Sequence, residues 1–110
     1  MFYPTVRFDL HCRFTARASA AALLHLGYKR SPPKIQEEML ALFLRLCKDE
    51  TPLVRKLAAQ HLDRWARLLT DIPAKQKELL DAFKAFIHDD QVRVFCIGIN
   101  FILLLLVLLL

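Results

Sequence analysis

Few residues in this chain have the types and spacing that chemistry requires. His88, Asp89 and Asp90 stand in a row, and imidazole beside carboxylate is the composition of a metal-ligand set or an acid–base pair. The run falls between two helical patterns, where a solvated turn accounts for the same three residues. His25 and His61 stand singly on helical stretches and read as packed or exposed side chains. Trp65 reads as core. Glycine-rich dinucleotide and phosphate loops, HExxH and GxSxG are all absent. The sequence therefore predicts no catalytic residue, no metal site and no cofactor. Cys12, Cys47 and Cys96 are odd in number and lack CxxC spacing. Cys47 and Cys96 fall on apolar helical faces, where a free cysteine behaves as a small hydrophobe. A reducing, intracellular setting is expected, and the amino-terminal stretch lacks the regions of a signal peptide.

Charge pairing remains. In "KDETPLVR", Lys48 to Arg55, an acidic turn and a proline precede an arginine. Arg17, Arg55 and Arg93 lie 38 residues apart, and at the same interval Ala16, Val54 and Val92 align, then Ala20, Ala58 and Cys96, then Leu24 and Leu62. A helical unit near 40 residues is the period of HEAT or armadillo repeats, not of the shorter tetratricopeptide or ankyrin units. One helical hairpin cannot bury its own apolar faces, so such units must stack. Arg17, Asp49, Arg55 and Arg93 are then candidates for a charge ladder between neighbouring repeats. Equal spacing places His11 before Arg17 and Ile87 before Arg93 where the ladder needs an acid. The formal charge of +5 is spread among acids, as on solvated helix faces, and predicts no nucleic-acid partner.

The positioning elements are helices. Ile35, Met39, Leu42, Phe43 and Leu46 form one stripe. Val54, Ala58, Leu62, Trp65 and Leu69 form a second, widened by Leu57, Ala66 and Leu68. Leu79, Leu80, Phe83, Phe86 and Ile87 form a third, and Ala16, Ala20, Leu23, Leu24 and Gly27 an earlier one. Thr15 and Ser31 are candidate caps, and Pro52 suits a first helical turn. Asp49 and Thr51 can satisfy free amides of the helix that follows them.

"FTARASAAALLHLGYKR" and "LCKDETPLVRKLAAQHLDRWARLL" resemble the scaffold (A) subunit of protein phosphatase 2A, an all-HEAT-repeat solenoid. The likeness runs from about Phe2 to Gln91 and corresponds to an internal piece of that family's amino-terminal half. It implies an all-α solenoid of two to three HEAT repeats: a truncated repeat over 1–30, a complete one over 31–70 and the first helix of another over 71–91; beyond the likeness, 92–110 reads as an apolar helix or tail. It also implies a non-catalytic scaffold, cytoplasmic or nuclear. In the family a regulatory subunit is held by the amino-terminal repeats, and the catalytic subunit by the far carboxy-terminal ones. The catalytic-subunit site is therefore expected to be missing from this piece. Contacts to a regulatory subunit would fall on Asp49, Thr51, Pro52 and Leu53 in one turn and Asp89, Asp90 and Gln91 in the next. Asp49 and Leu53 are both expected on the exposed surface of their turn. Three departures stand out: Arg13 where the family has tryptophan, Lys56 where it has arginine, and "HDDQVR", two residues shorter than "KDETPLVR".

The uncharged stretch Val94 to Leu110 holds seventeen residues. As a helix it reaches ~25 Å, short of the ~30 Å hydrocarbon core. Two readings stay open. It is a membrane anchor on a helical cytosolic head, or it is the translation of an unspliced intron starting at Gln91-Val92. A valine codon begins with GT, and a pyrimidine-rich intron reads as Phe, Leu, Ile and Val; this second reading is preferred. A generic HEAT adaptor with no phosphatase link is the remaining alternative.

Overall fold

Proline sets where the helices of this protein begin. The computed structural model describes residues 14–93; Cys12, Arg13, Cys96 and the apolar tail 94–110 lie outside them. Five α-helices follow in order: α1 (Phe14–Gly27), α2 (Pro33–Leu46), α3 (Pro52–Gln60), α4 (Leu62–Leu68) and α5 (Pro73–Ile87), with no strand among the described residues. Pro33, Pro52 and Pro73 each open a helix, where a missing N–H costs nothing and the fixed φ is already helical. Ser31 does not cap α2 as expected. Pro32 takes that position in extended backbone, and the Ser31 hydroxyl turns back to donate to the Gly27 carbonyl at 2.9 Å. It thus closes α1 instead of opening α2. Gln36 Nε2 donates to the Tyr28 carbonyl at 2.8 Å and ties the same turn from the other side. Thr15 lies within α1.

The helices pair and stack, α2 on α3, α1 along α3, and α4 against α5. The second stripe is buried throughout: Val54, Ala58, Leu62, Trp65 and Leu69 have no exposed surface. Phe43 of α2 stacks on Trp65 with ring centroids 5.0 Å apart, and Tyr28 meets Trp65 edge-on at 5.2 Å. Ala21, Ala58 and Ala59 are fully buried as well, and their short side chains allow α1 to approach α3 closely. The stripe expected on α1 is displaced. Ala21 and His25 point inward, whereas Leu23 is 57% exposed and Leu26 is exposed too. α1 is apolar nearly all round, so its periodicity does not select a face; contact with α3 does.

The pattern over 52–69 reads as one helix, but the structure divides it at His61. There φ is −107° and ψ is 6°. The His61 N–H bonds to the Ala58 carbonyl at 3.1 Å, one residue short of the α-helical partner. Its ring Nδ1 lies 2.8 Å from the carbonyl of Leu57, the residue four back. A carbonyl only accepts, so Nδ1 carries the proton in this contact. A side chain entering the backbone ladder is a known cause of helix kinks.

Trp65 joins α4 to α2 and to the Tyr28 turn. Trp65→Ala is expected to cost about 3–5 kcal/mol, read from the urea midpoint. Leu23→Ala on the open face of α1 should stay within about 0.5 kcal/mol of the parent.

Candidate functional site

Two charge rungs cross from one helix pair to the next. In the first, Arg17 near the start of α1 donates from Nε to Asp49 Oδ1 at 2.9 Å and from Nη2 to Thr51 Oγ1 at 3.1 Å. Asp49 Oδ2 accepts the Thr51 N–H at 2.9 Å. One carboxylate therefore shapes its own turn and receives the neighbouring repeat's guanidinium. The pair is well shielded, with side chains 11% and 8% exposed. In the second rung, Arg55 Nε donates to Asp89 Oδ2 at 2.8 Å and Nη2 to Gln91 Oε1 at 3.1 Å, while Asp89 Oδ1 accepts the Gln91 N–H at 3.0 Å. Gln91 supplies the second side-chain oxygen as Thr51 does. Arg55 also donates from Nη1 to the Asp49 backbone carbonyl at 2.7 Å, which links the two rungs through Asp49.

The acid of the second rung is Asp89, not the position that equal spacing assigned to Ile87. The shorter turn explains this. In the first turn the carbonyl of Thr51 receives the N–H groups of Val54 and Arg55. In the second, the carbonyl of Asp89 itself receives those of Val92 and Arg93, so the acid has moved two places closer to the helix start. Arg93, third in the series, has among the described residues only a local acid: Asp90 Oδ1 at 3.8 Å, with both side chains largely exposed.

The structure divides the seven docking candidates. Asp49 and Asp89 are committed to rungs, as are the side-chain oxygens of Thr51 and Gln91. Asp49 is therefore not on the open surface of its turn as expected, because Arg17 covers it. Leu53 is 48% exposed, Glu50 and Asp90 are exposed, and Pro52 is half-buried. These residues form the accessible edge.

His25 and His61, which the sequence presents as unrelated, have ring centroids 5.3 Å apart. The 38-residue interval places His25 level with Asp63, not with His61, so the repeat spacing gives no signal for their meeting. His25 is buried, and its Nδ1 and Asp63 Oδ1 are without a hydrogen-bond partner among the described residues. Burial holds the His25 imidazole below its ordinary pKa, and the charges of His61 and Arg64 push the same way against Asp63. The described residues hold no group of three or more His, Cys, Asp or Glu arranged for a metal ion. His88 is exposed while its neighbour Asp89 faces Arg55.

Stacked helix pairs locked by arginine–aspartate rungs define an α-solenoid of the HEAT type. Within that class the chain is similar to the 65 kDa regulatory subunits of protein phosphatase 2A. A probable PP2A regulatory subunit of Caenorhabditis elegans is 42% identical over 55 residues, 50% of this chain and 9% of that protein. The PP2A 65 kDa regulatory subunit of Drosophila melanogaster is 41% identical over 56 residues, 51% of this chain and 10% of its own. The beta isoform of the human PP2A 65 kDa regulatory subunit is 39% identical over 56 residues, 51% of this chain and 9% of its own. The likeness thus spans about a tenth of these relatives, and about half of this chain, less than the Phe2–Gln91 stretch expected. No family model and no solved structure matches the chain. None of the described helices is long and apolar enough to cross a membrane.

Arg17→Ala leaves a shielded carboxylate without its guanidinium. The expected loss is about 2–3 kcal/mol, between exposed pairs and fully buried ones, measured by urea denaturation. Arg67→Ala, whose partner Asp63 is 3.9 Å away and whose own side chain is 60% exposed, should change stability by no more than about 0.5 kcal/mol.

A histidine with a depressed folded-state pKa binds its proton more readily when unfolded. Stability should therefore fall as pH drops through the unfolded value near 6.5, and keep falling until the lower folded value is passed. Thermal midpoints across this range should drop less in His25→Gln than in the parent.

Proposed function

We propose that this chain is a piece of the non-catalytic scaffold of a protein phosphatase 2A-type holoenzyme, and that it docks a regulatory subunit through its intra-repeat turns. The repeat units would be 1–30, 31–70 and 71–91. The observation that carries the reading is the pair of matching rungs, which sets the Asp49–Leu53 and Asp89–Gln91 turns side by side on one edge. Similarity to PP2A regulatory subunits over half of the chain supports it.

In this reading the rung residues Asp49, Thr51, Asp89 and Gln91 shape the turns, and Pro52, Leu53 and Asp90 meet the partner. A proline-fixed apolar side chain makes a low-entropy contact. Exposed Glu50 and Asp90 beside it suit a basic surface. Because the chain as a whole is positive, the attraction is local to this edge. Catalysis would belong to another subunit.

The test is a Glu50→Lys, Leu53→Asp double variant, since both positions are exposed and outside the rungs. It should weaken binding to a purified PP2A regulatory subunit by tenfold or more, a loss of about 1.4 kcal/mol or above, with the helical circular dichroism of the parent. Binding equal to the parent's would remove the turn from the interface.

A further inference from the structure

We propose that Ser31 is a phosphorylation site for a proline-directed serine/threonine kinase that favours a cation three residues after the acceptor. The chain contains two dipeptides of serine or threonine followed by proline, Ser31-Pro32 and Thr51-Pro52. Such a kinase seats its substrate in extended form, and proline at the next position brings no N–H to be stranded and disfavours helix at the acceptor. The structure separates the two dipeptides.

Ser31 stands in Lys29-Arg30-Ser31-Pro32-Pro33-Lys34. Pro32 is extended, with φ −61° and ψ 157°. Lys29, Arg30, Pro32, Pro33 and Lys34 are all exposed. Lys29, Arg30 and Lys34 form no ion pair among the described residues. Lys34 is the cation at the third position. Thr51, in contrast, accepts a hydrogen bond from Arg17 and follows Asp49 and Glu50. Its third residue onward is the fully buried Val54. It lacks the cation, and its hydroxyl is held inside a charge rung.

Extending residues 31–34 requires the first turn of α2 to open, and little holds it. Pro32 and Pro33 have no N–H, and α2 has no side-chain cap. The bonds to be given up include Gln36 N–H to the Pro32 carbonyl at 2.9 Å, Ser31 N–H to the Tyr28 carbonyl at 3.2 Å, Gln36 Nε2 to the Tyr28 carbonyl at 2.8 Å, the Ser31 hydroxyl to the Gly27 carbonyl, and the helical bonds accepted by the Pro33 and Lys34 carbonyls. In the transfer, Ser31 Oγ forms a bond to the γ-phosphorus of magnesium-bound ATP as the bond to the bridging oxygen of ADP breaks. The hydroxyl proton passes to the kinase's carboxylate base.

The product places a charge of about −1.5 to −2 among three cations. The charge of the turn falls by half or more, to about +1 to +1.5, and Gly27 loses the hydroxyl that closed α1. This turn lies at the opposite end of α2 from the Asp49 rung, so the proposal stands independently of the docking edge.

The test incubates the full chain with a purified proline-directed kinase and magnesium ATP, with native helicity confirmed by circular dichroism. Intact mass should show one added phosphate, mapped to Ser31. Ser31→Ala should lose at least nine-tenths of the incorporation. Lys34→Ala should be labelled about tenfold more slowly, the worth of one charge-assisted contact. Phosphate on Thr51, equal labelling of Ser31→Ala, or labelling of a peptide spanning residues 26–38 without labelling of the folded chain would each overturn the proposal.

Discussion

A guanidinium reaching from one helix pair into the turn of the next limits how far the two can slide. Apolar burial supplies most of the favourable free energy of such a stack, but it is non-directional, and alanine-lined helices such as α1 and α3 would tolerate several offsets. Arg17 and Arg55 remove that freedom because each requires a carboxylate and a second side-chain oxygen in fixed relation. Asp49 and Asp89 can meet the requirement only while each also holds the backbone two residues ahead. Turn shape and repeat offset are therefore set by the same oxygen atoms.

That coupling divides the labour along the edge. Acids held by arginine present little free negative charge, and the exposed side chains beside them are Glu50, Leu53 and Asp90. The shorter second turn keeps the arrangement because Asp89 doubles as the residue whose carbonyl starts the next helix.

Much of this was legible in the sequence. The stripe from Val54 to Leu69 has apolar residues at helical spacing and charge on the other faces, and all five of its residues are buried. The 38-residue recurrence of arginine marked the cationic side of the rungs. What escaped was set by local geometry without periodicity. α1 has too little contrast between its faces for a stripe to be chosen. Ser31 had the free carbonyls at the end of α1 and the free amides at the start of α2 within reach, and Pro32 blocked the cap at α2. The acid at Asp89 was hidden by a two-residue deletion that no fixed interval follows. The division at His61 depends on a ring nitrogen competing with a backbone amide, which an apolar pattern does not register.

His61 also bears on how the stack deforms under load. An unbroken helix resists bending because each carbonyl along it is tied to an amide four residues on. At His61 one of those ties is a side chain with its own torsions, able to follow the Leu57 carbonyl as the axis tilts. Bending strain would therefore gather at this joint. The halves on either side would move nearly as rigid bodies, one keyed to α1 and the other to α5. A repeat with such a joint is a compliant element in series with stiffer ones. Curvature imposed at one point along a solenoid would be partly absorbed there and not passed on undiminished.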